Sequence, residues 1–192
     1  MAKWSNINDV DGFGLFFKKT AGNIHQFIAR YVHDEAIAKD LMQDTFMKLY
    51  ERRDQFENEI HSKAYAYTVA KNLSLDYLKH QKVKQGYFDS NPFAEEDNRN
   101  FLKDITYIES MAIIKNALNQ LSPREKSIIE LSMEEMSNEE IARELDISIN
   151  TVKTLKKRAY EKLRQELSDS YSELLILTIL ILSFYSLSIA AA

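Results

Sequence analysis

Apolar residues recur every three or four positions through most of this 192-residue chain, the period of a helix with one face turned inward. Phe17, Ala21, Ile24, Phe27, Ile28 and Tyr31 predict a first helix over about 13–32, which His33-Asp34 breaks. Ala38, Leu41, Met42, Thr45, Phe46, Leu49 and Tyr50 predict a second over about 34–53. Gln55 to His61 is polar and reads as a loop. Tyr65, Ala66, Val69, Ala70, Leu73 and Tyr77 predict a third helix over about 62–83. The period then lapses. Gln85 to Lys103 carries Gly86, Pro92 and the acidic run Glu95-Glu96-Asp97, and reads as an acidic linker over 85–104.

The second half is helical and punctuated. Helices are predicted over about 105–120, 123–134, 137–145 and 149–167. Ser122-Pro123-Arg124-Glu125 is a capping box with proline at the first helical position, and Ser137-Asn138-Glu139-Glu140 is a second box. Asp146-Ile147-Ser148 is a short turn whose Ser148 can cap the helix that follows. A short helix, a tight turn and a longer helix make a helix-turn-helix pattern. The expected fold is all-α: a domain over 8–84, the linker, a helix-turn-helix domain over 105–168, and an apolar helix over 172–192.

Composition narrows the chemistry. Four glycines and two prolines are too few for the turns of an all-β fold. The absence of cysteine removes disulfides, cysteine-ligated metals and a thiol nucleophile. His25, His33, His61 and His80 are scattered, and no phosphate-binding loop, nucleophile elbow or zinc-protease motif occurs, so no enzyme, metal or cofactor is expected. The net charge is −4, so nucleic-acid binding must come from local patches.

One such patch stands out. Between Asn150 and Gln165, Lys153, Lys156, Lys157, Arg158, Lys162 and Arg164 face the single acid Glu161. At 3.6 residues per turn, Val152, Leu155, Ala159 and Leu163 fall on one side and would pack on Ile141, Ala142 and Leu145. Asn150, Lys153, Thr154, Lys157 and Arg158 fall on the other. That is the footprint of a helix in the DNA major groove, with cations on phosphates and polar side chains at base edges.

In the first half, Asp40, Gln43 and Asp44 share one helical surface, and the third helix mixes Tyr65 and Tyr67 with Lys71, Lys79, Lys82 and Lys84. Cations beside aromatics can hold single-stranded DNA. Asp40-Leu41-Met42-Gln43-Asp44-Thr45-Phe46, then Tyr67-Thr68-Val69-Ala70-Lys71-Asn72 with Asp76-Tyr77-Leu78, resemble region two of the extracytoplasmic-function (ECF) group of bacterial sigma factors. Leu121 to Leu163 resembles region four. Tyr65 stands near the place where many members carry tryptophan.

The resemblance implies a subunit that binds core RNA polymerase and directs promoter-specific initiation in the bacterial cytoplasm. Asp40, Gln43, Asp44 and Phe46 would dock on the β′ clamp helices, and the second domain on the β flap. Phe56, Ser62, Tyr65, Lys71, Asn72 and Lys79 would hold the minus-ten element, with the loop from Phe56 to Ser62 capturing an unstacked base. Asn150, Thr151, Lys153, Thr154, Lys157 and Arg158 would read the minus-thirty-five element. An anti-sigma factor is a further implied partner. The helix-turn-helix alone also resembles the DNA-binding domain of LuxR-type regulators, which bind duplex DNA without polymerase.

The end of the chain lies outside that pattern. Leu174 to Ala192 carries no charge. As a helix it would span about 28 Å at ~1.5 Å per residue, near the ~30 Å of a bilayer core. One expectation is a membrane anchor over 174–192 that tethers the protein to the inner membrane. The others are a helix that packs on another protein or on the chain's own domains, or a reading-frame extension without function.

Overall fold

The computed structural model describes residue 7, residues 9–84 and residues 95–190, all of its regular structure being helical. Helix α1 spans Val10–Val32, α2 Glu35–Glu51, α3 Glu59–Lys84, α4 Glu95–Asn119, α5 Pro123–Met133, α6 Asn138–Glu144 and α7 Ile149–Ala190; a 3-10 turn, Arg53–Gln55, lies between α2 and α3. The chain divides into two compact units, Met1–Glu109 with Glu173–Ala192, and Ser110–Ser172.

The first unit is built on α1, α2 and α3. The Asp9 carboxylate accepts from the Gly12 amide at 2.6 Å and starts α1. His33 ends that helix in the left-handed region at φ 54°, and Asp34 immediately caps α2 by accepting from the Ala36 and Ile37 amides. These two residues turn the chain with almost no loop. Ile24, Phe27 and Ile28 from α1, Ala38 and Leu49 from α2, and Ala64, Tyr67 and Ala70 from α3 are fully buried together.

Two segments expected to lie apart join this core. Part of the 85–104 stretch, residues 85–94, lies outside the described residues, but from Glu95 onward the chain is helical. Phe101, Ile105 and Ile108, at 2%, 0% and 1% exposure, sit in the first unit's core. Their spacing is that of one helical face, and the acidic run ahead of them suits a helix N-terminus. The second unit accordingly begins at Ser110, not 105.

The apolar tail is the other. Ser170, Tyr171 and Ser172 offer no proline or glycine to end a helix, and α7 runs on through them. Leu177 and Ile181 are buried in the first unit's core, with Leu180 packed beside them. Among the described residues no helix is long and apolar enough to cross a membrane. The structure shows the alternative expectation for this segment, packing on the chain's own domain.

The second unit comprises the end of α4, α5, α6 and the first part of α7. Ile128, Ile141, Ala142 and Val152 form its centre, with Leu131, Met136, Leu145, Ile147 and Leu155 around them. A second cluster joins Leu121, Ile129 and Ala159 to Leu118 and Leu163. Both predicted capping boxes form: Ser122 with Glu125, and Ser137 with Glu140.

Candidate nucleic-acid and polymerase interfaces

The helix-turn-helix is held by local bonds. The Leu145 amide donates to Ile141 O and the Ile147 amide to Ala142 O, each at 3.0 Å, closing α6. Asp146 takes the left-handed region at φ 50°, which lets the chain reverse within three residues. Ser148 Oγ then accepts from the Thr151 amide at 3.1 Å and starts α7. With Val152 and Ala159 fully buried, Asn150, Lys153, Thr154, Lys157 and Arg158 are left exposed on the opposite side. Asn150, Thr151, Thr154, Leu155 and Arg158 line one open depression along the helix. Thr151 is half-buried and its hydroxyl lies 2.8 Å from Ser148 Oγ, so it belongs as much to the cap as to the outward face.

Not every cation in the run faces outward for a ligand. Lys162 Nζ bonds Glu125 Oε2 at 2.7 Å, and the same carboxylate atom accepts from the Ser122 amide at 2.8 Å. These bonds, Lys162 first, lower the Glu125 pKa to about 2. A depressed carboxylate contributes stability that is full above its unfolded pKa, near 4.5, and is lost as pH falls through about 2. Thermal melts of the second unit's transition at pH 7, 4 and 3 are expected to show declining stability. Glu125→Gln is expected to flatten that decline and to lower the midpoint at pH 7.

On α2, Asp40, Gln43, Asp44 and Met47 are exposed along one strip, backed by buried Ala38, Met42, Thr45 and Leu49. Phe46, expected in that strip, is 4% exposed and lies inside. Its ring meets Phe17 at 4.7 Å and Phe16 at 6.2 Å between centroids. It supports the strip from behind.

The third group is only partly brought together. Phe56 and Tyr65 are half-buried with ring centroids 5.0 Å apart, and Asn72 and Lys79 are exposed on α3. Ser62 is fully buried and its hydroxyl donates to Asn58 O at 3.1 Å, a bond within the helix start. Lys71 is 6% exposed, its ammonium 5.3 Å from the centre of the Phe101 ring. Sequence reasoning missed Arg52, whose guanidinium lies 5.8 Å over Tyr65. The Arg52-Arg53 pair just ahead of Phe56 was the available signal.

Helices throughout the described residues, with a capped, cationic helix-turn-helix in the second unit, define the class as a helix-turn-helix DNA-binding protein. The Sigma-70 region 2 family matches residues 16–83 and the Sigma-70, region 4 family residues 111–163. The RNA polymerase sigma factor CarQ of Myxococcus xanthus is 30% identical over 160 residues, covering 83% of this chain and 91% of that one. An RNA polymerase sigma-E factor of Streptomyces coelicolor is 30% identical over 140 residues, 72% and 76% of the two chains. The ECF RNA polymerase sigma factor SigW of Bacillus subtilis is 25% identical over 173 residues, 84% and 91%. Two solved complexes are also similar. The sigma factor RpoE with the anti-sigma factor NepR from Bartonella quintana has 23% identity, a TM-score of 0.36 and coverage of 83% and 98%. The RsbN–BldN complex has 21% identity, a TM-score of 0.34 and coverage of 83% and 94%.

The chain belongs to the ECF RNA polymerase sigma factors. Regions 2 and 4 serve promoter recognition, and the family is not enzymatic. With Sigma-70 region 2 matched over residues 16–83 as well as region 4, the sigma-factor reading takes the place of the LuxR-type alternative.

Proposed function

We propose that this sigma factor divides its contacts among three surfaces. The α2 strip of Asp40, Gln43, Asp44 and Met47 docks on the β′ clamp helices, with Phe46 as its support. Phe56, Tyr65, Arg52, Asn72 and Lys79 meet the minus-ten element, where an aromatic surface offsets the few kcal/mol needed to extrude a base. Asn150, Thr151, Lys153, Thr154, Lys157 and Arg158 meet the minus-thirty-five element, while region 4 rests on the β flap. The protein works on the cytoplasmic side, and an anti-sigma factor is its expected antagonist.

The observation that carries this reading is the sorting of α7. Val152, Leu155, Ala159 and Leu163 pack inward in the second unit, while Lys153, Lys157 and Arg158 stay exposed beside Asn150 and Thr154. Run-off transcription with purified core polymerase and a promoter library tests it. Promoter-specific transcripts are expected only when the chain is added; DNA binding without initiation would sink the proposal. Lys157→Ala with Arg158→Ala is expected to weaken binding to the recovered promoter and to reduce the salt slope by about two, one for each lost phosphate contact. An unchanged slope would place those side chains away from the phosphates.

A further inference from the structure

We propose that the first half of α4, clamped by the end of α7, is an internal cover over region 2 that competes with nucleic acid. The inference rests on the reading that region 2 meets promoter DNA. Three cations of α1 and α3 are engaged by α4. Arg30 pairs with Asp104, which also accepts from the Tyr31 hydroxyl, and its guanidinium lies 4.9 Å over the Tyr107 ring. Lys63 pairs with Glu109, a carboxylate that further accepts from the Tyr67 hydroxyl at 2.5 Å and from Asn23 Nδ2 at 3.1 Å. Lys71 lies against Phe101. Lys71, which the sequence reading placed with the minus-ten group, and two further cations of region 2 are thus held by two carboxylates and a ring of one helix, while Arg52, Asn72 and Lys79 stay exposed.

Glu109 is 3% exposed. A buried ion pair adds little net stability over apolar contacts of the same size, because both charges lose their water. What it supplies here is register: the cover fits in one place, with its acids on Arg30 and Lys63. Adhesion comes from Phe101, Ile105 and Ile108. Leu177 and Ile181 share their cluster, so the tail adds to the hold. DNA or polymerase opens the cover only through tighter binding to the uncovered form, and the tail sets how much tighter that must be. A segment that reads from sequence as a linker, and another that reads as a membrane span, thereby become one regulatory device.

The test uses the full-length chain and a short fluorescent thymidine oligonucleotide. Asp104→Asn, which keeps the side-chain shape, and Ile181→Ala are each expected to bind it roughly threefold or more tighter than the wild type, since a larger share of molecules is open. Exposed Ile179→Ala is expected to bind as the wild type does. In Ile181→Ala, amide hydrogen exchange over 101–109 is expected to rise severalfold. Exchange that stays unchanged, or raised exchange with unchanged affinity, overturns the cover. Failure of every form to bind the oligonucleotide, with exchange raised, overturns the DNA reading and with it the inhibitory role. Should Ile181→Ala lose its cooperative melt, Asp104→Asn decides by the same affinity readout. Adding Lys71→Ala to Asp104→Asn is expected to return affinity towards the wild-type value, because the released ammonium is then gone.

Discussion

Reversing the charge at Asp40 and Asp44 to lysine is expected to lower core-polymerase association at least tenfold and to remove promoter-specific transcripts at limiting protein. Both carboxylates are exposed on α2, and the helix beneath them is anchored by Ala38, Met42, Thr45, Phe46 and Leu49. Exposed substitutions of this kind usually change stability by no more than about 0.5 kcal/mol. Placing like charges against a partner built for the opposite sign costs several kcal/mol in binding, and a factor of ten needs only about 1.4. The expected signature is thus lost association with an unchanged melt. Glu51→Lys, exposed at the end of the same helix, makes half of that charge change away from the strip and so bounds the effect of net charge. Gln43→Ala should act in the same direction and more weakly, because it removes a hydrogen-bonding group without adding repulsion. If the Asp40→Lys, Asp44→Lys protein still co-elutes with core polymerase as the wild type does, the docking surface lies elsewhere.

How far a sequence carries such a reading depends on how local the cause is. The helix-turn-helix was legible almost in full, since capping boxes, a three-residue turn and an alternating apolar face are all set within a few residues of one another. The α2 strip was legible for the same reason. Phe46 adjoins Asp44 in the motif but is buried. At ~100° per residue it points well away from that carboxylate, on the side of Met42 and Leu49. Ser62 likewise lies in a polar stretch but turns its hydroxyl back to Asn58 O.

Long-range causes were not legible. The acidic residues at 95–97 made the following segment look like linker, although Phe101, Ile105 and Ile108 already had core spacing. Nothing near Lys71 in the sequence reveals that Phe101 will lie against it. The tail is apolar on every side, so its pattern suits lipid and protein equally. Only the first unit's core, contributed by residues far away in the chain, selects Leu177 and Ile181 as its inner face.

Truncating Ile141 to alanine is expected to destabilise the second unit by about 2–5 kcal/mol, and Ile141→Val by about 0.5–1.5 kcal/mol. The side chain is fully buried among Ile128, Ala142 and Val152, and among the described residues these four make up the buried part of the cluster. A domain holds roughly 0.05–0.15 kcal/mol of stability per residue, so a unit as small as Ser110–Ser172 has little to spare. The position matters beyond its volume. Ile141 O receives the Leu145 amide that closes α6, and the next carbonyl, Ala142 O, receives the Ile147 amide that sets the turn. Ser148 follows directly and caps the recognition helix. A cavity at Ile141 therefore loosens the turn that aims Asn150, Lys153, Thr154, Lys157 and Arg158. Calorimetry is expected to show one transition lowered in the Ile141→Ala protein while the transition of the first unit stays in place, since its core draws on none of these residues. Minus-thirty-five binding should fall with the first of these transitions, and core-polymerase association through α2 should persist. A single transition that moves as a whole would show instead that the two units unfold together.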